Sequence, residues 1–196
     1  MARRVRACAW YRVLPLVIVA LFGAISFTYT FAPSALFKVF YPLDYEEYVL
    51  SSAQTHGVDP YLVAAVIKVE SSWDDDALSS RGAEGLMQLM PETAQDMIDK
   101  GYVDGARYSA SNLFDAATNI EFGCAYLSYL LTYFNGATDR AIAAYNAGMG
   151  NVDDWAQEDT ALHNAITFPE TQAYLFRVTT AQSRYEDLYP ELYLGK

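Results

Sequence analysis

Uncharged residues run unbroken from Val13 to Ala32, a stretch of 20 positions. That length suffices for one helix to cross a hydrocarbon layer of roughly 30 Å. Past it, the polar and apolar positions change to helical spacing. Residues 43 to 56 predict a helix, with Asp44 as its cap and Gly57 as its left-handed stop. Asp59-Pro60 then opens a second helix with a capping carboxylate and a first-turn proline. From Tyr61 to Val69 only Lys68 is charged, so this second helix is expected to be buried on most sides. Further helices are predicted from Pro91 to about Lys100, from 116 to 134 behind Asp115, and from Asp139 to Ala147. A short one runs through Val152 and Trp155, and a last one covers about 170 to 186. No segment alternates as a strand does, and there is no internal repeat. The pattern predicts an all-α domain of six or seven helices.

Charge divides the chain in two. Arg3, Arg4, Arg6 and Arg12 precede the uncharged run, which places the N-terminus in the cytoplasm and sends the rest outward. Residues 1–38 are therefore read as a basic tip and single transmembrane anchor, and 39–196 as the domain outside the cytoplasm. The alternative is a cleaved signal peptide and a secreted domain; such peptides have a shorter apolar region, about 7–15 residues, and a small-residue cleavage site. The part beyond residue 38 holds eight basic side chains against 24 acidic ones, a net of −16. A surface of that sign repels nucleic acid and anionic lipid heads as partners.

Metal and nucleophile chemistry find little support. Cys8 and Cys124 would lie on opposite sides of a membrane, and neither they nor His56 and His163 have ligand-like spacing. Asp74, Asp75 and Asp76 are consecutive and lack the alternate-position pattern of a calcium loop. No metal and no cofactor is expected.

One carboxylate stands apart. Projected down its helix, Glu70 lies about 160° from Lys68 and above Val63, Val66 and Ile67, on the apolar face. A carboxyl there loses hydration, which disfavours its charged form and raises its pKa toward the range of a general acid. The plainer reading is a glutamate that emerges into solvent where the helix ends. Downstream, Gly82, Ala83 and Gly85 allow close backbone approach, and Gln88 is the polar residue among Leu86, Met87, Leu89 and Met90.

Three stretches, taken together and in order, resemble the lytic transglycosylase family typified by the catalytic domain of the soluble lytic transglycosylase, whose fold is related to goose-type lysozyme. They are Glu70-Ser71 with Gly82-Ala83-Glu84-Gly85-Leu86-Met87-Gln88-Leu89-Met90-Pro91; Ala144-Tyr145-Asn146-Ala147-Gly148 with Gly150, Val152 and Trp155; and Phe168, Glu170-Thr171 and Tyr174. Asn119-Ile120 and Tyr126-Leu127 also fit, so the resemblance spans about residues 45 to 186.

The resemblance implies a lysozyme-like helical fold that cleaves the β-1,4 bond between N-acetylmuramic acid and N-acetylglucosamine in peptidoglycan, leaving 1,6-anhydromuramyl ends. It implies Glu70 as acid and then base, which removes the need for the second carboxylate that other glycosidases hold roughly 5–9.5 Å away. By the same resemblance Gln88, Met90, Tyr145, Glu170 and Tyr174 line the substrate groove, while Ser71 and Asn146 support it. Peptidoglycan strands, and cell-wall machinery of unknown identity, are the implied partners. Hydrolysis of the same bond by water, or wall binding without catalysis, are the alternatives. Two departures stand out: Pro169 directly before Glu170, two places later than is usual in the family, and Asp153-Asp154 where the family often has arginine.

Overall fold

A computed structural model describes residues 10–31, 33–156 and 162–194. Arg3, Arg4, Arg6 and Cys8 lie outside them. The chain separates into two compact units, Met1–Phe40 and Tyr41–Lys196. The first contains α1 (Trp10–Phe31) and α2 (Pro33–Phe40). Val13, Leu16, Val19 and Phe22 on α1 expose their side chains. Among the described residues, no helix is long and apolar enough to cross a membrane.

The second unit is all-helical: α3 (Glu46–His56), α4 (Pro60–Glu70), α5 (Pro91–Asp99), α6 (Ala116–Tyr133), α7 (Thr138–Ala147), α8 (Met149–Ala156), α9 (Leu162–Ala165) and α10 (Pro169–Leu188), then a 3₁₀ turn over Pro190–Leu194. Two capping carboxylates behave as expected, Asp59 accepting from the Tyr61 N–H and Asp115 from the Thr118 N–H. Asp44 does not cap α3. The helix starts one residue later, at Glu46, after Tyr45 in the left-handed region at φ 53°, and the Tyr45 hydroxyl donates to Asp75 at 2.6 Å. The four-residue α9 and the 3₁₀ turn have no periodicity for the sequence pattern to reveal.

The core forms around α4, whose residues Tyr61 to Ile67 are all buried. Helix α10 packs along it, and polar bonds fix the register of the pair. Gln182 Nε2 donates to Asp59 Oδ2 at 2.7 Å, Trp73 Nε1 donates to the Tyr185 hydroxyl at 2.8 Å, and the Tyr61 hydroxyl donates to the Tyr189 carbonyl at 2.9 Å. A one-turn slip of α10 would break all three. Helix α3 is held on α6 by Glu121, which accepts from Ser52 and pairs with His56 Nε2 at 3.0 Å. Burial pushes the Glu121 carboxyl up, but the bonds from His56 and Ser52 outweigh it and hold the group below its ordinary value.

Candidate active site

Helix α4 ends at Glu70 because the next residues leave helical space. Ser71 is the cap position, and Ser72 and Trp73 both have positive φ, at 54° and 73°. Positive φ in a residue as bulky as tryptophan is strained, on the order of 1–3 kcal/mol, and persists only when neighbours enforce it. Here the Trp73 N–H donates to Ser71 Oγ at 3.1 Å, and its indole donates to Tyr185. Ser71 Oγ also donates to the Ile67 carbonyl at 3.3 Å. The chain thus turns sharply away and leaves the Glu70 carboxyl at the end of a buried helix.

Tyr174, buried on α10, donates its hydroxyl to Glu70 Oε1 at 2.7 Å. Burial pushes the Glu70 carboxyl from its ordinary value of 4.5 up to about 7, against the bond from Tyr174 and the charge of Arg177, which both pull it down. Among the described residues, the charge that acts on it is Arg177, one turn beyond Tyr174. In the turn that follows, Asp75 accepts from the Tyr45 hydroxyl, and Asp74 Oδ1 accepts from the Asp76 N–H. Tyr145 lies near enough for Glu70 to act on it. Burial first, and the Glu70 charge second, push the Tyr145 hydroxyl well above its ordinary value. That hydroxyl donates to the Met87 carbonyl at 2.8 Å.

The loop from Gly82 to Met90 forms the other side of the site. Glu84 bridges Leu78 and Leu89 in two isolated antiparallel contacts. Gln88 sits at φ 49°, and its Nε2 donates to the Ala77 and Gly85 carbonyls, both at 3.0 Å. Its amide oxygen remains an acceptor. Met90 is half-buried at the cap of α5, next to the fully buried Leu86 and Met87. Asn119, matched in the sequence only as part of a helix, is what clamps this loop. It accepts from the Met87 N–H at 2.7 Å and donates to the Glu84 and Leu113 carbonyls at 2.9 and 2.7 Å. Gly85 must be glycine for this clamp: at φ 71°, an added Cβ would come within 2.2 Å of the Leu113 carbonyl oxygen. Gly123 on α6 likewise leaves room for the Met87 thioether.

Glu170 and Tyr174 occupy the same helix but not the same surroundings. Pro169 opens α10 as its first residue, so the displaced proline is accommodated where its missing N–H is harmless. Glu170 follows in the first turn and is exposed, whereas Tyr174 is buried against Glu70. Thr171 between them donates its hydroxyl to Asn146 Oδ1 at 2.9 Å, joining α10 to the end of α7. Asp153, one of the two unexpected acids, accepts from the Tyr133 hydroxyl at 2.7 Å.

A family model described as Transglycosylase SLT domain matches residues 47–168. The chain belongs to that family. The soluble lytic murein transglycosylases of Escherichia coli (strain K12) and Salmonella typhimurium are 31% and 30% identical to it over 151 residues, which is 74% of this chain and 23% of each relative. Among solved structures, an inactive mutant of the lytic transglycosylase Slt from Pseudomonas aeruginosa matches with a TM-score of 0.71 and 33% identity, over 76% of this chain and 25% of that one. The 70 kDa soluble lytic transglycosylase of Escherichia coli matches with a TM-score of 0.70 and 30% identity, over 80% and 25%. A 70 kDa soluble lytic transglycosylase has also been solved in complex with bulgecin A, with the same score and coverage. The chain spans about a quarter of the length of these relatives. Its second unit therefore has the all-helical, lysozyme-like SLT fold, and the resemblance carried by Glu70, the Gly82–Pro91 loop and Tyr145 was to its own family.

Proposed function

We propose that this chain cleaves peptidoglycan as a lytic transglycosylase, with Glu70 as its single acid and base. The observation that carries the proposal is the Glu70 carboxyl, half-buried, bonded to Tyr174 and raised to about 7, within an SLT-family domain. Protonated Glu70 gives its proton to the bridging glycosidic oxygen, and the bond from that oxygen to muramyl C1 breaks. Positive charge then grows at C1. The resulting carboxylate takes the proton of the muramyl C6 hydroxyl as its oxygen closes on C1, giving the 1,6-anhydro ring and restoring the acid. The tethered hydroxyl competes well with water because its approach costs little entropy. Tyr174 holds the carboxyl in place, Tyr145 faces the growing charge, and Gln88, Met90 and Glu170 line the groove, with Ser71 and Asn146 supporting its edges.

The mass of the fragments released from purified peptidoglycan tests the chemistry. Anhydro products are lighter by one water than hydrolysis products and resist borohydride; a reducing muramic end in their place would make the enzyme a hydrolase.

Because the acid must enter the reaction protonated, kcat is expected to fall as pH rises through about 7. Tyr174 and Arg177 both pull the Glu70 pKa down, so Tyr174→Phe and Arg177→Gln should each move this falling limb to higher pH. A limb that stays in place in both variants would assign it to another group.

The same proposal places residues 39–196 outside the cytoplasm, on an anchor formed by residues 1–38. The uncharged run from Val13 to Ala32 and the exposed apolar face of α1 support this. Membranes washed with alkaline carbonate should retain the intact chain. Release of a shortened chain lacking its N-terminus would favour a cleaved signal peptide instead.

A further inference from the structure

The turn behind Glu70 has a second support, remote from the groove. Ser72 and Trp73 both hold positive φ, so the chain stays folded back only while its neighbours restrain it. Two restraints are local: the Trp73 N–H donates to Ser71 Oγ, and Ser72 Oγ donates to the Lys68 carbonyl at 3.3 Å. The Trp73 indole adds a distant one, its bond at 2.8 Å to the Tyr185 hydroxyl, 112 positions along the chain.

That hydroxyl is held from two sides. It accepts from Trp73 and donates to the Pro42 carbonyl at 2.8 Å, so its hydrogen has a fixed direction. The Tyr185 ring is fully buried, with Trp73 and Tyr41 edge-on to it at centroid distances of 6.3 and 5.8 Å. Tyr41 and Pro42 are the first residues of the second unit. One turn further along α10, the Tyr189 hydroxyl donates to the Tyr41 carbonyl at 2.9 Å. Lys68, two residues before Glu70, places its ammonium 5.9 Å from the centre of the Tyr41 ring. The Tyr41–Pro42 segment therefore meets the end of α4 on both sides of Glu70, directly at Lys68 and through Tyr185 at Trp73.

We propose that Tyr185 is a positioning residue for Glu70, its hydroxyl fastening the Ser71–Trp73 turn to the Tyr41–Pro42 segment and so fixing the end of α4. This rests on the reading of Glu70 as the acid, given above. Tyr185 lies 11 residues, about three turns, beyond Tyr174 on α10, and acts on the reaction only through where the turn leaves the carboxyl. The physical route is hydration. With the indole released, the strained turn relaxes and water reaches a carboxyl that burial had raised. The groups that act on Glu70 directly, Tyr174, Arg177 and Tyr145, stay in place. The first residues of this unit then belong to its catalytic apparatus and are more than a spacer.

The test is the pH profile of kcat on purified peptidoglycan for the full-length chain, Tyr185→Phe, Trp73→Phe, the double variant and Tyr189→Phe. Tyr185→Phe should lower kcat about tenfold, short of the 10²-fold that a 1 Å misplacement can cost, and leave KM unchanged. Its falling limb should move about one pH unit lower, opposite to the direction expected for Tyr174→Phe. Trp73→Phe should do the same, and the double variant no more than either, as for two residues acting through one bond. Tyr189→Phe loses a comparable bond to Tyr41 and should leave the limb in place. A limb that stays put in Tyr185→Phe, effects that add in the double variant, or an equal shift in Tyr189→Phe would overturn the positioning role while the Glu70 reading stands. Should Tyr185→Phe fail to fold, the limb of Trp73→Phe decides by the same criterion. A wild-type profile with no falling limb near 7 would overturn both.

Discussion

Glu70→Gln is expected to slow turnover of purified peptidoglycan by about 10²–10⁴-fold, the contribution of a positioned general acid. Glutamine keeps the volume and can still accept the Tyr174 bond at 2.7 Å, so the groove should retain its shape. What it lacks is a proton to give at the bridging oxygen and a carboxylate to collect one from C6. Among the described residues, the groups that act on Glu70 are Tyr174 and Arg177, and neither can take over both proton transfers. Retained turnover would remove Glu70 from the mechanism.

The same substitution should raise stability, by an amount that depends on pH. Glu70 titrates near 7 in the folded chain and near 4.5 when hydrated. Between those values the folded state binds more protons than the unfolded one, so stability is fully present below 4.5 and is lost as pH rises through about 7. At about 1.4 kcal/mol per unit, the loss at pH 8 is on the order of 3 kcal/mol. Glutamine has no such proton to lose. Denaturation midpoints should favour the variant at pH 8 and converge toward pH 4. A variant less stable than wild type at pH 8 would mean that the carboxylate is held by bonds stronger than its desolvation. Loss of activity together with a gain in stability marks a group kept for chemistry.

The parts of the fold legible in the sequence are those set by neighbours in the chain. Asp59-Pro60, Pro91 and Asp115 mark helix starts through a cap or a first-turn proline, and all three sit where expected. The apolar face that carries Glu70 follows from helical geometry alone. Tyr45, Ser72, Trp73 and Gln88 are different, because their positive φ values accompany bonds that exist only in the folded chain, to Asp75 and Tyr185 for Tyr45 and Trp73 and to nearer carbonyls for Ser72 and Gln88. The first of them overrode Asp44 as a cap. Tyr174 was placed in the groove by resemblance, but its bond to Glu70 joins residues 104 positions apart and depends on the register of α4 against α10. A cleft lined by Arg81, Asn146 and Glu170 has the same origin, since only the fold brings Arg81 to the start of α10.

Asn119 is the clearest case of a residue whose importance only packing reveals, and Asn119→Ala should cost about 3–5 kcal/mol of stability. The side chain is fully buried and serves three main-chain groups, the Met87 N–H and the Glu84 and Leu113 carbonyls. Alanine would leave these without partners. An unsatisfied buried group costs roughly 1–3 kcal/mol, and water entering the vacated space would recover part of the sum. Activity should fall further than stability explains, because Met87 also carries the carbonyl that orients Tyr145, and Gln88 is the next residue. A variant that unfolds early but, while folded, turns over substrate at the wild-type rate would make Asn119 a stability residue alone. Reduced kcat under conditions where circular dichroism shows full folding would establish that it holds the Gly82–Met90 loop against the catalytic carboxyl.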